Sequence, residues 1–172
     1  LIMEMTFQDK LEISQNIKPI RLEIVEEEMN DLINIGVDAM YQSPRCRTGN
    51  NIVDYFTFVY RLETRGKYNI NFFEFIENIE EFKKKKFIQN MILYYKTVKN
   101  KNGHMNKYTI LKEVYNICIS AINIIRPLVY MEIYTKYKPN HILDFCAGWG
   151  GAAVASAALN ISSYTGIEMN TD

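Results

Sequence analysis

HILDFCAGWGGAAVASAALN, residues 141–160, differs in pattern from the rest of the chain. Its first part is an apolar run of strand length that ends near Asp144, and a glycine-rich loop with the single tryptophan follows. The alanine-rich part has helix-forming composition, and SYTGIEM, farther along, is a second strand-like run. Strand, glycine turn, helix and strand in this order predict a βαβ unit.

The residues before this unit are predicted to be mostly helical. One helix is expected over RLEIVEEEMNDLINIG, with Pro19 in its first turn and its end near Gly36. Glu26, Glu27 and Glu28 belong to this helix, and a solvated face is the expected role for them.

Three further helical segments are expected. They are NIVDYFTFVYRLETRG, then NINFFEFIENIEEFKKKKFIQNMILYYKTV as one long helix or a pair, and then a helix from about Tyr108 to Ile125. Pro127 either kinks the last of these or starts a new helix. The predicted fold class is therefore α/β, with a helical region over residues 1–125 and a domain that starts with the βαβ unit over residues 126–172.

Composition limits the partners and the compartment. Lys plus Arg and Asp plus Glu number 20 each, so any surface that binds nucleic acid must be local. The three cysteines are scattered without C-x-x-C spacing, which favours a reducing, cytoplasmic compartment and argues against disulfides or a zinc site. The two histidines are not at metal-ligand spacing either, so no metal is expected. No run approaches the roughly 18 apolar residues of a membrane span, so no membrane partner is expected.

Two basic segments are candidates for nucleic-acid binding. Nine lysines and no acid lie between Lys83 and Lys112, and Tyr94 and Tyr95 lie among them. Lysines neutralise phosphates and aromatic rings stack on unpaired bases, although a solvated helix face fits the same pattern. The loop over residues 42–51 offers a second candidate or a plain surface loop. The candidate residues are Lys83, Lys84, Lys85, Lys86, Arg45 and Arg47.

The glycine loop is the clearest candidate for a ligand site, because a loop between a strand and a helix places backbone N–H groups and a positive helix end beside a ligand. Residues 148–153, GWGGAA, fit the dinucleotide pattern G-x-G-x-x-A, and Glu168 follows the first glycine by 20 residues. NAD is therefore allowed on spacing alone. An ordinary turn with a helix-capping glycine is a further alternative.

Asp144 favours S-adenosylmethionine (SAM) over NAD. A pyrophosphate carries two negative charges, so a carboxylate at the end of the first strand would be poorly placed beside it. SAM has no phosphate, and its sulfonium and ammonium groups are attracted to an aspartate. A dinucleotide domain also usually opens with its fingerprint, whereas this pattern follows about 140 other residues.

Residues 126–170 resemble class I SAM-dependent methyltransferases, through IRPLVYMEIYTKYKPNHILDFCAGWGG and YTGIEMN. More narrowly, they look like the phage and large-virus DNA methyltransferases that carry a D-x-x-x-G-W-G-G loop. The resemblance implies a Rossmann-like domain in which the loop holds the methionine end of SAM and the acid after the second strand binds the ribose. It also implies that the Arg-Pro pair before the preceding helix packs over the methionine moiety. The cofactor-binding residues so implied are Asp144, Cys146, Ala147, Gly148, Trp149, Gly150, Glu168, Arg126 and Pro127.

Two of these residues have a second possible role. Trp149 packs either on the cofactor or in the interface between helix and sheet. A small buried apolar role is expected for Cys146, because nothing nearby in the sequence would lower its pKa and make it a nucleophile.

The chain departs from this family in two respects. The family usually has arginine after the Gly-Gly pair, where this chain has Ala152. The catalytic tetrapeptide [DNS]-P-P-[YFW] of amino-methyltransferases, whose aromatic ring stacks on a flipped base, does not occur, because no two of the four prolines are adjacent. The catalytic residues are therefore unassigned, and the sequence is expected to be truncated before a C-terminal catalytic half.

The resulting hypothesis is a SAM-dependent methyltransferase fragment that acts on a nucleic-acid base, most readily an exocyclic amine of DNA. The main alternative is a non-catalytic protein derived from a SAM fold, such as a viral structural or scaffold subunit. An NAD-dependent enzyme is the third reading.

Overall fold

The structure is a computed structural model that describes residues 5–170. Within this range the chain is mixed α/β and mostly helical, with one two-stranded parallel sheet. The elements in chain order are α1 (Phe7–Ile17), α2 (Leu22–Ile35), a 3₁₀ helix (Gly36–Tyr41), α3 (Asn50–Glu63), α4 (Phe72–Glu77), α5 (Ile79–Lys83), α6 (Lys86–Tyr94), a π-helical turn (Tyr95–Lys99), α7 (Lys107–Cys118), α8 (Pro127–Tyr137), β1 (His141–Asp144), α9 (Gly151–Ala158) and β2 (Ser163–Gly166).

The chain forms two compact units, each built from two segments. The first unit comprises Leu1–Pro19 and Val59–Asn123, and the second comprises Ile20–Phe58 and Ile124–Asp172. Helix α3 therefore runs from the second unit into the first. The functional division between residues 125 and 126 stays a prediction.

Local capping signals explain where two helices of the first unit begin. Thr6 precedes α1, and its hydroxyl accepts the Asp9 N–H at 3.2 Å while the Asp9 carboxylate accepts the Thr6 N–H at 2.9 Å. Asn71 and Glu74 form the same reciprocal arrangement at the start of α4. Such capping boxes satisfy backbone N–H groups that have no partner inside the helix.

The core of the first unit is aromatic and aliphatic. Phe72 and Phe75 of α4 are fully buried, and both rings contact the ring of Tyr115 on α7. The Tyr115 hydroxyl donates to the Ile70 carbonyl at 2.7 Å, so its one polar atom is satisfied. The remaining buried apolar side chains of this unit are Ile13, Val59, Leu62, Phe73, Ile76, Ile88, Ile92, Tyr95, Ile110, Leu111, Val114 and Ile119.

Two helix predictions in this unit need correction. The segment expected to be one long helix or a pair is three short helices and a π-helical turn, with Asn78 ending α4 through a side-chain bond to the Glu74 carbonyl at 2.9 Å. The helix expected to reach Ile125 ends at Cys118 instead. Arg126, directly before Pro127, is extended with φ −65° and ψ 140°, so a helix could not run unbroken to the proline.

The core of the second unit joins α2, the 3₁₀ helix, α3, α8 and α9. Helix α2 begins at Leu22 and not at Pro19, and it ends at Ile35. The following Gly36 caps it: its N–H donates to the Leu32 carbonyl and its φ is 47°. Pro127 is the first residue of α8, so the proline starts a new helix. The buried residues that pack together are Val25, Leu32, Ala39, Ile52, Leu128, Met131, Ala155 and Ala158.

Glu28 does not belong to a solvated face, although Glu26 and Glu27 are exposed as expected. Its carboxylate accepts N–H groups of Gly49 at 2.8 Å and Asn51 at 3.1 Å, and it also accepts the side-chain amide of Asn51 at 2.6 Å. Gly49 directly precedes α3 and has no side chain with which to cap that helix. Glu28 therefore caps α3 from a neighbouring helix.

The βαβ prediction is confirmed. Strands β1 and β2 are parallel, and His141 pairs with Ser163, Ile142 with Tyr164, Leu143 with Thr165 and Asp144 with Gly166. One face of the pair is partly buried, but Leu143 on the other face is 65% exposed. Phe145 and Ile167, which follow the two strands, are 77% and 54% exposed. An apolar sheet face thus remains uncovered in the part of the chain that the structure describes.

Helices of the described residues are all too short or too polar to cross a membrane.

Candidate cofactor site

The glycine loop, residues 145–150, connects β1 to α9 at the carboxyl end of the strand. Gly148 and Gly150 have positive φ angles of 54° and 86°, which side-chain-bearing residues rarely adopt. The turn closes through a hydrogen bond of 3.2 Å from the Gly150 N–H to the Ala147 carbonyl. Carboxyl ends of parallel strands are where open α/β sheets bind ligands, so the loop lies at the expected edge.

Asp144 lies at the end of β1 with both carboxylate oxygens in use. One oxygen accepts the Cys146 N–H of the loop at 3.1 Å, and the other accepts the Tyr164 hydroxyl of β2 at 3.0 Å. The aspartate side chain is half-buried. These two bonds hold the carboxylate against the start of the glycine loop.

Three tyrosines surround Asp144, and sequence reasoning missed all of them. Burial, followed by the negative charge of Asp144, raises the pKa of Tyr130 and raises that of Tyr134 to about 12. The pKa of Tyr164 is also raised, by burial first and then by its hydrogen bond to Asp144. All three phenols are therefore protonated at neutral pH, and Tyr164 donates. Strand register could have found Tyr164, because it pairs with Ile142, the neighbour of Asp144 on the same face.

Glu168 lies two residues beyond β2 and not at its last residue. The pairing of the strands continues past their ends through bonds from the Ile167 N–H to the Asp144 carbonyl at 2.7 Å and from the Ala147 N–H to the Ile167 carbonyl at 3.1 Å. This extension brings Glu168 beside the loop, where its Oε2 accepts the Gly148 N–H at 2.7 Å.

The Glu168 carboxylate is ionised and its orientation is fixed. Its Oε1 accepts the N–H groups of Met169 at 2.9 Å and Asn170 at 3.1 Å. Hydrogen bonds from the backbone of Asn170, Gly148 and Met169 lower the pKa of Glu168. The loop is thus flanked by two carboxylates, one at the last residue of β1 and one two residues beyond β2.

Gly151 lets the segment before α8 approach α9 closely. A Cβ at this buried position would lie 2.5 Å from the carbonyl oxygen of Ile125 and 3.3 Å from the Tyr130 ring. The Ile125 carbonyl and the Tyr130 ring therefore pack against the start of α9, beside the glycine loop. The predicted residues Arg126 and Pro127 are brought to the same end of the unit as Asp144, although Pro127 itself is buried.

Arg126 has a contact that the sequence did not predict. Its guanidinium donates to the carbonyl of Pro44 at 2.6 Å and to that of Cys46 at 2.9 Å. The arginine thus holds the loop that carries Arg45 and Arg47, whose side chains are exposed.

The other predicted loop residues differ in exposure. Cys146 is exposed, so the small buried role expected for it is wrong. Ala147 and Trp149 are half-buried, which leaves both roles open for the tryptophan. Ala152 is fully buried.

The basic segment belongs to the other compact unit. Lys83 and Lys84 pair with Glu80 at 2.6 Å and Glu81 at 2.7 Å, two acids that immediately precede the lysine run. Lys85 and Lys86 are exposed. Of the two tyrosines, Tyr95 is buried, and Tyr94 is 42% exposed.

A cavity of about 310 Å³ lies at the opposite edge of the sheet, before both strands. Its lining includes Tyr134, Lys138, Asn140, Asn160 and Ser162. Residues at the amino ends of strands more often stabilise a fold than bind its ligand, so the glycine loop remains the candidate site. Among residues 5–170, no three or more of His, Cys, Asp and Glu are grouped so that they could hold a metal ion.

No protein-family model, curated protein or solved structure matches the chain.

Proposed function

We propose that residues 126–170 are the cofactor-binding start of a Rossmann-like SAM-dependent methyltransferase that modifies a nucleic-acid base, with an exocyclic amine of DNA as the first candidate. The observation that carries the proposal is the position of two carboxylates around one glycine loop. Asp144 binds the loop at the Cys146 N–H and Glu168 binds it at the Gly148 N–H.

Charge favours SAM over a dinucleotide at this loop. A pyrophosphate needs the backbone N–H groups of a glycine loop, but Glu168 already occupies that of Gly148 and its lowered pKa keeps it ionised. Two negative charges beside the loop repel a phosphate and attract the sulfonium and ammonium groups of SAM. The NAD reading is therefore disfavoured.

Each residue has a role in this proposal. Asp144 attracts the positive methionine end of the cofactor, and Tyr164 holds the aspartate in place through its hydroxyl. Glu168 accepts hydrogen bonds from the ribose hydroxyls with the lone pairs that its backbone partners leave free. Residues 125–127, which Gly151 admits to the loop, form one wall of the pocket. SAM supplies the electrophilic methyl group when it is bound.

The uncovered sheet face supports a larger domain. Parallel sheets are generally covered on both faces, whereas Leu143 and Phe145 are largely exposed. In the proposal, further strands and helices of a catalytic half cover this face and supply the groups that receive the target amine.

One observation favours the alternative of a non-catalytic protein derived from a SAM fold. Ala152 is fully buried at the position where the resembled family has arginine, so a contact of that arginine is lost. In this alternative the loop either still binds the cofactor without catalysis or keeps its conformation and no longer binds the cofactor.

Isothermal titration calorimetry tests the proposal on the 172-residue chain with SAM, S-adenosylhomocysteine and NADH. We expect both adenosyl ligands to bind and NADH to give no heat. Asp144→Asn should weaken SAM binding by roughly tenfold, since hydrogen bonds to charged groups contribute about 1.5–3 kcal/mol. Asp38→Asn, which removes the same charge from an exposed site of the same unit, should leave affinity unchanged.

Two results would count against this assignment: NADH binding in place of S-adenosylhomocysteine, or equal affinities for the two variants. Transfer of a labelled methyl group from SAM to DNA by the protein isolated from its natural source separates the enzyme from the non-catalytic alternative.

A further inference from the structure

A groove on the first unit carries positive charge, amide groups and apolar surface together. The α6 groove is a cavity of about 480 Å³ lined by Lys83, Gln89, Asn90, Ile92, Leu93 and Lys96. Its volume falls within the range of small-molecule and cofactor sites, roughly 300–1,000 Å³.

Helix α6 has apolar side chains that are exposed to solvent and do not pack in the core. Ile88 and Ile92 are buried and fix the helix to its unit, whereas Leu93 on the groove is 58% exposed. Phe87 and Tyr94 are 55% and 42% exposed. The helix therefore also presents individual apolar side chains to solvent.

Positive charge surrounds this surface. Lys85, Lys86, Lys96 and Lys99 are exposed, and the Lys99 ammonium lies 5.9 Å from the centre of the Tyr94 ring. Glu80 and Glu81 pair with Lys83 and Lys84 at one end of the segment, and no acid occurs from residue 82 to residue 112. The groove therefore fits an anionic ligand.

We propose that the α6 groove binds a segment of single-stranded nucleic acid. Lys96 at the groove contacts a backbone phosphate, and a base packs on Leu93. The side-chain amides of Gln89 and Asn90 each offer a donor and an acceptor to the edge of that base. Exposed Tyr94 provides a face on which a neighbouring base stacks.

The same observations disfavour other anionic partners. An acidic peptide would satisfy both the lysines and the amides, since its backbone offers N–H and C=O groups, but its carboxylate side chains provide no planar ring to pack on Leu93 and stack on Tyr94. An anionic membrane needs a helix whose main apolar face is free to enter the lipid, but Ile88 and Ile92 of α6 are buried within the protein.

The α6 groove would be the surface that binds the nucleic-acid substrate of the proposed function. Only the claim that the bound strand is the substrate rests on that function. Binding at the α6 groove does not require SAM. The groove and the glycine loop can therefore be tested separately.

Fluorescence anisotropy measures binding to a labelled single strand of about 12 nucleotides, a length within the site sizes of single-strand-binding proteins. Lys96→Glu should reduce affinity at least tenfold at low salt and reduce the slope of log affinity against log salt by about 1. The matched control is Lys67→Glu, the same charge change at an exposed site of the same unit, for which we expect less than a threefold loss. Leu93→Ser should also reduce affinity, with an unchanged salt slope, because it removes base packing and no charge.

Duplex DNA, vesicles of phosphatidylcholine with phosphatidylserine, and polyglutamate serve as competitors. The groove assignment predicts that the single strand competes best. Equal losses for Lys96→Glu and Lys67→Glu, stronger competition by vesicles or polyglutamate, or no binding of the single strand would overturn it. If the wild-type chain binds the single strand but does not bind SAM, the proposed function is overturned and the groove assignment stands.

Discussion

Glu28→Ala offers a direct test of how the second unit is held together. Glu28 lies on α2, yet its carboxylate accepts N–H groups of Gly49 and Asn51 and the side-chain amide of Asn51, at distances of 2.6–3.1 Å. Gly49 cannot cap α3 itself, and it is buried. The substitution therefore removes the cap of α3 and leaves a buried N–H without its acceptor.

The expected loss follows from these contacts. Removing a helix cap costs about 0.5–2 kcal/mol, and a hydrogen bond to a charged group contributes about 1.5–3 kcal/mol. Because the carboxylate is only partly buried, water compensates for part of this loss. We expect Glu28→Ala to lower the free energy of unfolding by about 2 kcal/mol. Glu28→Gln should lower it by about 1 kcal/mol, because one oxygen acceptor remains.

The matched control is Glu27→Ala, which removes the same charge from the same helix at an exposed position. Urea unfolding followed by circular dichroism gives the free energies, and the slopes with denaturant should agree between variants. We expect a change within about 0.5 kcal/mol for Glu27→Ala. If the two alanine variants are equally stable, Glu28 is an ordinary surface residue and the reasoning is wrong.

Three further predictions concern other positions. Gly151→Ala should lower the free energy of unfolding by about 1–3 kcal/mol in the same assay. The new Cβ would lie 2.5 Å from the Ile125 carbonyl oxygen, and this clash outweighs the gain in helix propensity. A variant as stable as the wild type would refute the close approach. Tyr164→Phe should weaken S-adenosylhomocysteine binding about fivefold by calorimetry, because it removes the 3.0 Å bond that holds Asp144, and no change in affinity would contradict that positioning role. Burial, and then the nearby positive charge of Arg61, lowers the pKa of Lys112 to about 8. Its unfolded-state pKa is higher, so the unfolded chain binds more protons between about pH 8 and pH 10. The free energy of unfolding of the wild type, relative to that of Lys112→Met, should therefore rise by about 2 kcal/mol over this range. If the free energies of the two proteins change in parallel with pH, Lys112 is not buried as a charge.

The glycine loop and the strands on either side of it could be predicted from the sequence, because their signals are local. Positive φ angles at Gly148 and Gly150 need glycine, and a short apolar run ending at an aspartate is typical of a strand that enters such a loop. The end of α2 at Gly36 is local in the same way. Capping boxes at Thr6 and Asn71 were equally local signals, and they would have placed the starts of α1 and α4.

The end of α7 was less predictable, because two influences compete there. The apolar spacing from Ile110 continues at helical period as far as Ile125, and this pattern favours one long helix. The chain leaves the helix at Cys118, and Ile117 and Ile125 are exposed. Periodicity alone cannot show where the core that would bury such a stripe ends.

The sequence by itself determined the order of elements around the loop and the aspartate at its start, since each depends on residues only a few positions apart. Tertiary structure alone decided which groups those elements meet. Glu28 binds the N–H of Gly49 across 21 positions, Tyr164 reaches Asp144 across 20, and Arg126 holds the Pro44 carbonyl across 82. A polar side chain in a sequence shows that it needs a partner, but only the folded backbone brings one particular distant donor or acceptor within 3 Å.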